Sequence, residues 1–237
     1  MPAPQDVLAV EYEPSERWTP ARPERRPGAT ESAAGRLQRC GPSALMDAEA
    51  LALLAGCGEA EIEGLIAAFG SLTEVLAQPQ TELARHVSTR VAARIVLAHD
   101  LSRRFLEGPL RRRDVLSSWS SVVAYLRGVL TGVGREQFRV LFLDKRNQLI
   151  ADEVLGFGTV DHAPVYPREV VRRALELNAS AMIIAHNHPS GDPTPSSADI
   201  EMTRKVVDAA RALGLAVHDH VIVGGASVAS LKSLGLM

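Results

Sequence analysis

Cys40 and Cys57 are the only two cysteines in 237 residues, so no disulfide framework is implied and a reducing compartment is expected. The opening residues Met1-Pro2-Ala3-Pro4-Gln5-Asp6 lack the basic segment and apolar core of a secretory signal. No run approaches the ~20 apolar residues that a membrane-crossing helix requires. The expectation is a cytoplasmic protein without a membrane partner. Charge of one sign is also scarce. With 26 basic and 28 acidic residues the net charge is −2, which exerts no whole-chain pull toward nucleic acid or a lipid surface. What remains is ordinary globular composition, 46% hydrophobic and 23% charged, in a chain long enough for one large or two modest domains.

Residues 1–40 read as a disordered tail. Pro2, Pro4, Pro14, Pro20, Pro23 and Pro27 interrupt a mixture of Glu, Arg and Ala with little to bury, and only Trp18 hints at docking. Residues 41–107 read as a helical domain. Asp47 is a candidate cap for a helix containing Leu51, Leu53 and Leu54 and ending near Gly56-Cys57-Gly58. Leu65, Ile66 and Phe69 belong to a second helix stopped by Gly70, and Ser71 caps a third. Val91, Ile95, Leu97 and Leu101 lie on a longer one, expected to end before Gly108-Pro109.

Residues 115–237 alternate between helical and extended patterns. Val122, Val123, Leu126 and Leu130 share one helix face. Strands at 137–143 and 148–157 flank a tight turn, Asp144-Lys145-Arg146-Asn147. Pro167 opens a helix to Leu177, a position that tolerates its missing N–H. Ala181-Met182-Ile183-Ile184-Ala185 is a buried strand, and a further strand at 217–223 carries His218 and His220 on one face. The fold class is α/β, a mixed sheet flanked by helices.

His186-Asn187-His188-Pro189 closes the apolar strand, with Ser196 and Asp199 downstream. Residues i and i+2 of extended chain face the same way, so both imidazoles can grip one ion. The prolines of loop 189–195 hold it semi-rigid and lower the entropy cost of bringing the chain back. Ser196 or Ser197 would cap a helix running to about Leu213, which puts Asp199 in its first turn, facing the histidines. Two imidazoles and a carboxylate are the protein ligands of a catalytic zinc, whose fourth position stays open to water; structural zinc is normally closed by four. Each residue alone has a blander reading. A histidine after a strand is often just a hydrogen-bonded terminus, and an aspartate in a first helical turn suits the helix dipole. The joint spacing favours the metal. His218 and His220 read chiefly as core or supporting groups, one of which could orient Asp199 or a metal-bound imidazole.

The constellation resembles the JAMM (MPN+) metalloprotease motif, and its surroundings resemble the RadC branch of that family. The matching words are Arg135-Glu136-Gln137-Phe138, Leu141-Phe142-Leu143-Asp144 with Asn147, and Val165-Tyr166-Pro167-Arg168-Glu169-Val170. Arg173-Ala174-Leu175-Glu176-Leu177-Asn178-Ala179, the run from Ala185 to Pro193, and Asp219-His220 complete them. The likeness covers roughly residues 115 to 237. It implies a cytidine-deaminase-like MPN fold and a zinc-dependent hydrolase acting on a peptide or isopeptide bond of a peptide or protein substrate. His186, His188 and Asp199 would be the zinc ligands, and Ser196 would hydrogen-bond the oxyanion or the bound water. The general base would be Glu136, with Glu153 as the competing assignment. A zinc nucleoside deaminase is excluded. It needs His-x-Glu and Pro-Cys-x-x-Cys elements, whereas the second residue after His186 is His188 and no cysteine lies beyond Cys57.

Upstream, Asp47-Ala48-Glu49-Ala50-Leu51-Ala52-Leu53-Leu54 and Phe69-Gly70-Ser71-Leu72 resemble the helical region of RadC proteins, with its helix-hairpin-helix DNA-binding character. That module's second hairpin uses a glycine turn whose N–H groups meet phosphate. Here the region reads Arg85-His86-Val87-Ser88-Thr89-Arg90, without glycine. Arg103, Arg104, Arg111, Arg112 and Arg113 are candidate phosphate contacts, although a basic run is usually a solvated linker face. The non-enzyme alternative is therefore a DNA repair or recombination accessory with a structural metal. Self-association through the helical region is left open.

Overall fold

The computed structural model describes residues 32–112, 114–158 and 166–237. The proline-rich stretch through residue 31, Trp18 included, lies outside them, as do Arg113 and residues 159–165. The chain divides into two compact units between Leu101 and Ser102.

The first unit is helical: α1 (Ala33–Cys40), α2 (Asp47–Ala55), α3 (Glu59–Phe69), α4 (Leu72–Leu76), α5 (Gln80–Leu83) and the beginning of α6 (Thr89–Arg112). Leu51, Ala55, Ile62, Leu65, Val75, Leu83, Val91 and Ile95 form its core. Helix α1 corrects the expectation of a disordered tail reaching residue 40. Ser32 caps it by accepting Gly35 N–H, and buried Arg36 forms an ion pair with Glu49. A tertiary partner thus orders a segment whose composition has little to bury. The start of α2 is also corrected. Met46 occupies the cap position and Glu49 reaches back to accept Met46 N–H at 2.9 Å, leaving Asp47 as the first helical residue. Gly56 ends this helix in the left-handed region, φ +65°.

Pro109 does not end α6, contrary to the sequence expectation. Proline inside a helix costs roughly 3 kcal/mol, and local anchors around it offset that cost. Leu110 is fully buried in the second unit's core. Glu107 takes Arg103 at 2.8 Å and Arg111 at 2.5 Å, and Arg111 also donates to Ile150 O at 2.9 Å.

The second unit, from Ser102 onward, holds the sheet. Its elements are α7 (Trp119–Leu130), β1 (Gln137–Leu143), β2 (Leu149–Phe157), α8 (Pro167–Glu176), β3 (Ala181–Asn187), α9 (Ser197–Arg211), β4 (Ala216–Gly224) and β5 (Ser227–Ser230). Among the described residues the strand order is β2-β1-β3-β4-β5. Only β3 and β4 are parallel, as the α9 crossover between them requires, and the other pairs are antiparallel. Val122, Tyr125 and Leu126 of α7 pack on Leu141, Ile183 and Val221 on one face. Val170 and Ala174 of α8 and Val206 and Ala210 of α9 cover Val140, Phe142, Met182 and Ile184 on the other. Covered twice, β3 is buried along its whole length, which explains its unbroken apolar run. No described helix is long and apolar enough to cross a membrane.

Phe142, on β1 beside β3, is fully buried under the α8–α9 layer. Phe142→Ala should lower the unfolding free energy by about 3–5 kcal/mol in a urea titration, with the slope unchanged. A loss under about 1 kcal/mol would contradict this packing.

Candidate metal centre

The sheet delivers His186 and His188 to one place from the end of β3. His186 is buried at 1% exposure, and His188 prolongs the parallel ladder by donating its N–H to Val223 O at 2.9 Å. Beyond it the chain turns back over β4. Gly191 adopts φ +86°, and the loop lies so close to Gly224 that a Cβ there would come within 2.5 Å of Pro193 N. Asp192 stiffens the turn by accepting both the N–H and the hydroxyl of Thr194, at 2.9 and 2.7 Å. The loop then enters α9 through Ser196, whose hydroxyl accepts Asp199 N–H at 3.2 Å. Asp199 reciprocates by accepting Ser196 N–H at 2.8 Å, completing a capping box.

This path brings together the donor atoms that the motif anticipates. His186 Nε2 and His188 Nε2 are 3.0 Å apart. Asp199 Oδ1 lies 3.3 Å from the first and Oδ2 lies 3.5 Å from the second. His188 Nδ1 faces the Asp192 carbonyl at 2.7 Å. A carbonyl only accepts, so Nδ1 carries the hydrogen and His188 Nε2 is a bare lone pair aimed into the group. Burial pushes the His186 pKa down to about 4; Asp199 opposes this shift and His188 adds to it. The His186 imidazole is thus presented neutral at pH 7, crowded against a carboxylate. Two imidazole nitrogens and a carboxylate oxygen suit a borderline-soft divalent cation such as zinc. The residues fit such an ion.

The two candidate bases are separated in space and in partners. Glu136 immediately precedes β1, and its Oε1 lies 3.9 Å from His186 Nε2. Glu153 sits inside β2 opposite Val140, where Arg173 of α8 grips both its oxygens at 2.6 and 2.7 Å. Hydrogen bonding from Arg173 holds the Glu153 carboxyl below the usual range. Ser196, expected to serve the oxyanion or the water, donates its hydroxyl hydrogen to Asp199 Oδ2 at 2.6 Å. His218 is engaged elsewhere, 2.8 Å from Asn147 Oδ1, and His220 lies against His186.

Sequence reasoning missed Asn187. Its buried amide accepts Gln137 N–H at 2.9 Å and donates to Val133 O and Arg135 O at 2.9 and 3.1 Å. It thereby ties the backbone on both sides of Glu136 to the strand that carries the histidines. The available signal was an amide residue between two candidate ligands, where the polar groups of a buried position must be matched.

The model of the RadC-like JAB domain family matches residues 116–236, just over half of the chain and all of the elements that build this centre.

The Glu153–Arg173 pair has a pH signature of its own. The folded carboxyl titrates below its unfolded value, so the pair adds stability above the ordinary carboxylate range and loses it as pH falls through the depressed folded value. Glu153→Gln should cost about 1 kcal/mol at neutral pH and converge on the parent in acid. Urea titrations at stepped pH would read this, and a difference that grew in acid would refute it.

Proposed function

The chain belongs to the RadC-like JAB domain family, which points to a JAMM-type metallohydrolase, and on that premise we propose that it is a zinc-dependent peptidase or isopeptidase. The observation that carries the reading is the convergence of His186 Nε2, His188 Nε2 and Asp199 with a further carboxylate, Glu136, beside them. Among the described residues the group numbers three ligand residues, as catalytic rather than structural zinc sites do. When bound, zinc lowers the pKa of a coordinated water toward about 7 and polarises a carbonyl.

The chain's own residues supply the rest. Glu136 accepts the proton of the attacking water and returns it to the departing amine, a role worth about 10²–10⁴-fold. Asn187 holds the backbone around Glu136 at a set distance from the histidines. Ser196 orients Asp199 through its hydroxyl and its N–H. Near-complete burial of His186 keeps bulk water from the rear of the site. The substrate class is a peptide or protein carrying the scissile amide. The unpaired cysteines, Cys40 and Cys57, are consistent with a reducing, cytoplasmic setting.

The test is elemental analysis of the purified chain combined with an unbiased peptide-cleavage screen. The parent and Glu136→Gln should each carry about one zinc, whereas His188→Ala should lose it. Cleavage should drop at least ~10²-fold in both variants. Zinc without cleavage in the parent would overturn the peptidase assignment. No bound transition metal would overturn the centre itself.

A further inference from the structure

Behind His186 runs a buried polar path that ends on another ligand residue. His220, fully buried on β4, lies beside Ile184 in the parallel pair, and the Phe138 ring stands T-shaped to its own. Its Nε2 is 2.8 Å from His186 Nδ1, and its Nδ1 is 2.6 Å from Thr203 Oγ1. Thr203, also fully buried, lies on α9 one turn after Asp199, and its hydroxyl is 2.6 Å from the Asp199 carbonyl oxygen.

One end of this path sets the direction of every bond in it. A backbone carbonyl cannot donate, so Thr203 commits its single hydroxyl hydrogen to Asp199 O. Thr203 Oγ1 is then an acceptor toward His220, whose Nδ1 must carry the hydrogen. A charged His220 would be a fully buried cation facing a hydroxyl and an imidazole, an arrangement that favours the neutral ring. Neutral and protonated at Nδ1, it presents a bare Nε2, which accepts from His186 Nδ1–H. His186 is left with its lone pair on Nε2, the atom 3.0 Å from His188 Nε2 and 3.3 Å from Asp199 Oδ1.

We infer that Thr203 and His220 are positioning residues that lock the tautomer of His186, keeping Nε2 bare for a divalent cation before the cation arrives. The inference rests on the metal reading of the site and deepens it. An unconstrained imidazole can carry its proton on either nitrogen, and the wrong choice would put an N–H where the ion must bind. The lock also ties the ligand on β3 to the ligand on α9 without using the ion.

The experiment begins with zinc-free parent protein labelled with ¹⁵N-histidine. Long-range ¹H–¹⁵N correlation spectra should show His186 and His220 both protonated at Nδ1. Zinc titrations against a competing chelator then compare Thr203→Val, which keeps the shape without the hydroxyl, with Thr203→Ser, which restores it. Thr203→Val should raise the zinc dissociation constant about 10–100-fold and give His186 a mixed tautomer, with Thr203→Ser returning both to the parent. His220 protonated at Nε2 in the parent, or Thr203→Val binding zinc as tightly as the parent, would overturn the inference. Should Thr203→Val fail to fold, the parent spectrum and a His220→Phe titration decide by the same criteria. A parent that binds no zinc yet shows both rings protonated at Nδ1 would sink the metal reading and leave the tautomer lock standing.

Discussion

An imidazole buried at the end of a strand that is covered on both faces cannot swing away from its neighbours, so the groups fixed at its two edges decide what it can hold. His186 is that imidazole, and much of the second unit is arranged around its two edges. On one edge β4 supplies His220. On the other, the chain leaves β3, folds over Gly224 and returns as α9, carrying Asp199 to within 3.3 Å. The parallel pairing of β3 and β4 follows from the same arrangement. A helical crossover between them places the first turn of α9 beside the carboxyl end of β3, and with it Asp199, the third residue of the candidate centre.

Each side chain of the candidate centre is held by a neighbour that lies outside it. Asp192 O orients His188, Ser196 orients Asp199, Asn187 anchors the backbone around Glu136, and His220 backs His186. These supports are backbone groups or short side chains with few rotamers, so little entropy remains to be lost when a ligand binds. A site built in this way is set in position by the folding of the sheet. The opposite face of the sheet, packed on α7, carries a second buried polar group. There Asp152 accepts from Tyr125 and Arg139, and burial together with the Asp152 charge pushes the Tyr125 hydroxyl pKa well up.

Helix α6 and the helical unit show how tertiary partners override local signals. Proline at 109 reads as a helix stop, yet the helix runs on because Leu110 is buried and Arg111 is held by Glu107 and Ile150 O. The same glutamate engages Arg103, so two of the arginines that look like a basic run already share an ion-pair partner within the protein. At the turn before α6, Ser88 accepts Val91 N–H at 3.3 Å where a phosphate-binding hairpin would use glycine. Asp47 illustrates the smaller kind of misreading. An acid near a helix start can serve as the cap or sit just inside it, and only the reach of Glu49 back to Met46 N–H decides between them.

The element types, the Pro167 helix start, the Ser196 cap and the His-x-His spacing were legible in the chain because they rest on local physics: backbone propensity, side-chain alternation and capping hydrogen bonds. Membership of the family was legible for a related reason, since its words are short runs with fixed spacing. Which glutamate stands beside the histidines was not. Glu136 and Glu153 both adjoin strands, and only the register that pairs β2 with β1 and the packing of α8 set Arg173 against one of them. The parts played by Asn187 and Thr203 were equally hidden, and the sequence leaves open the choice of His220 over His218 as the supporting imidazole. Their significance lies in hydrogen bonds to residues 17 to 54 positions away in sequence, and such contacts exist only once strands and helices have closed over one another.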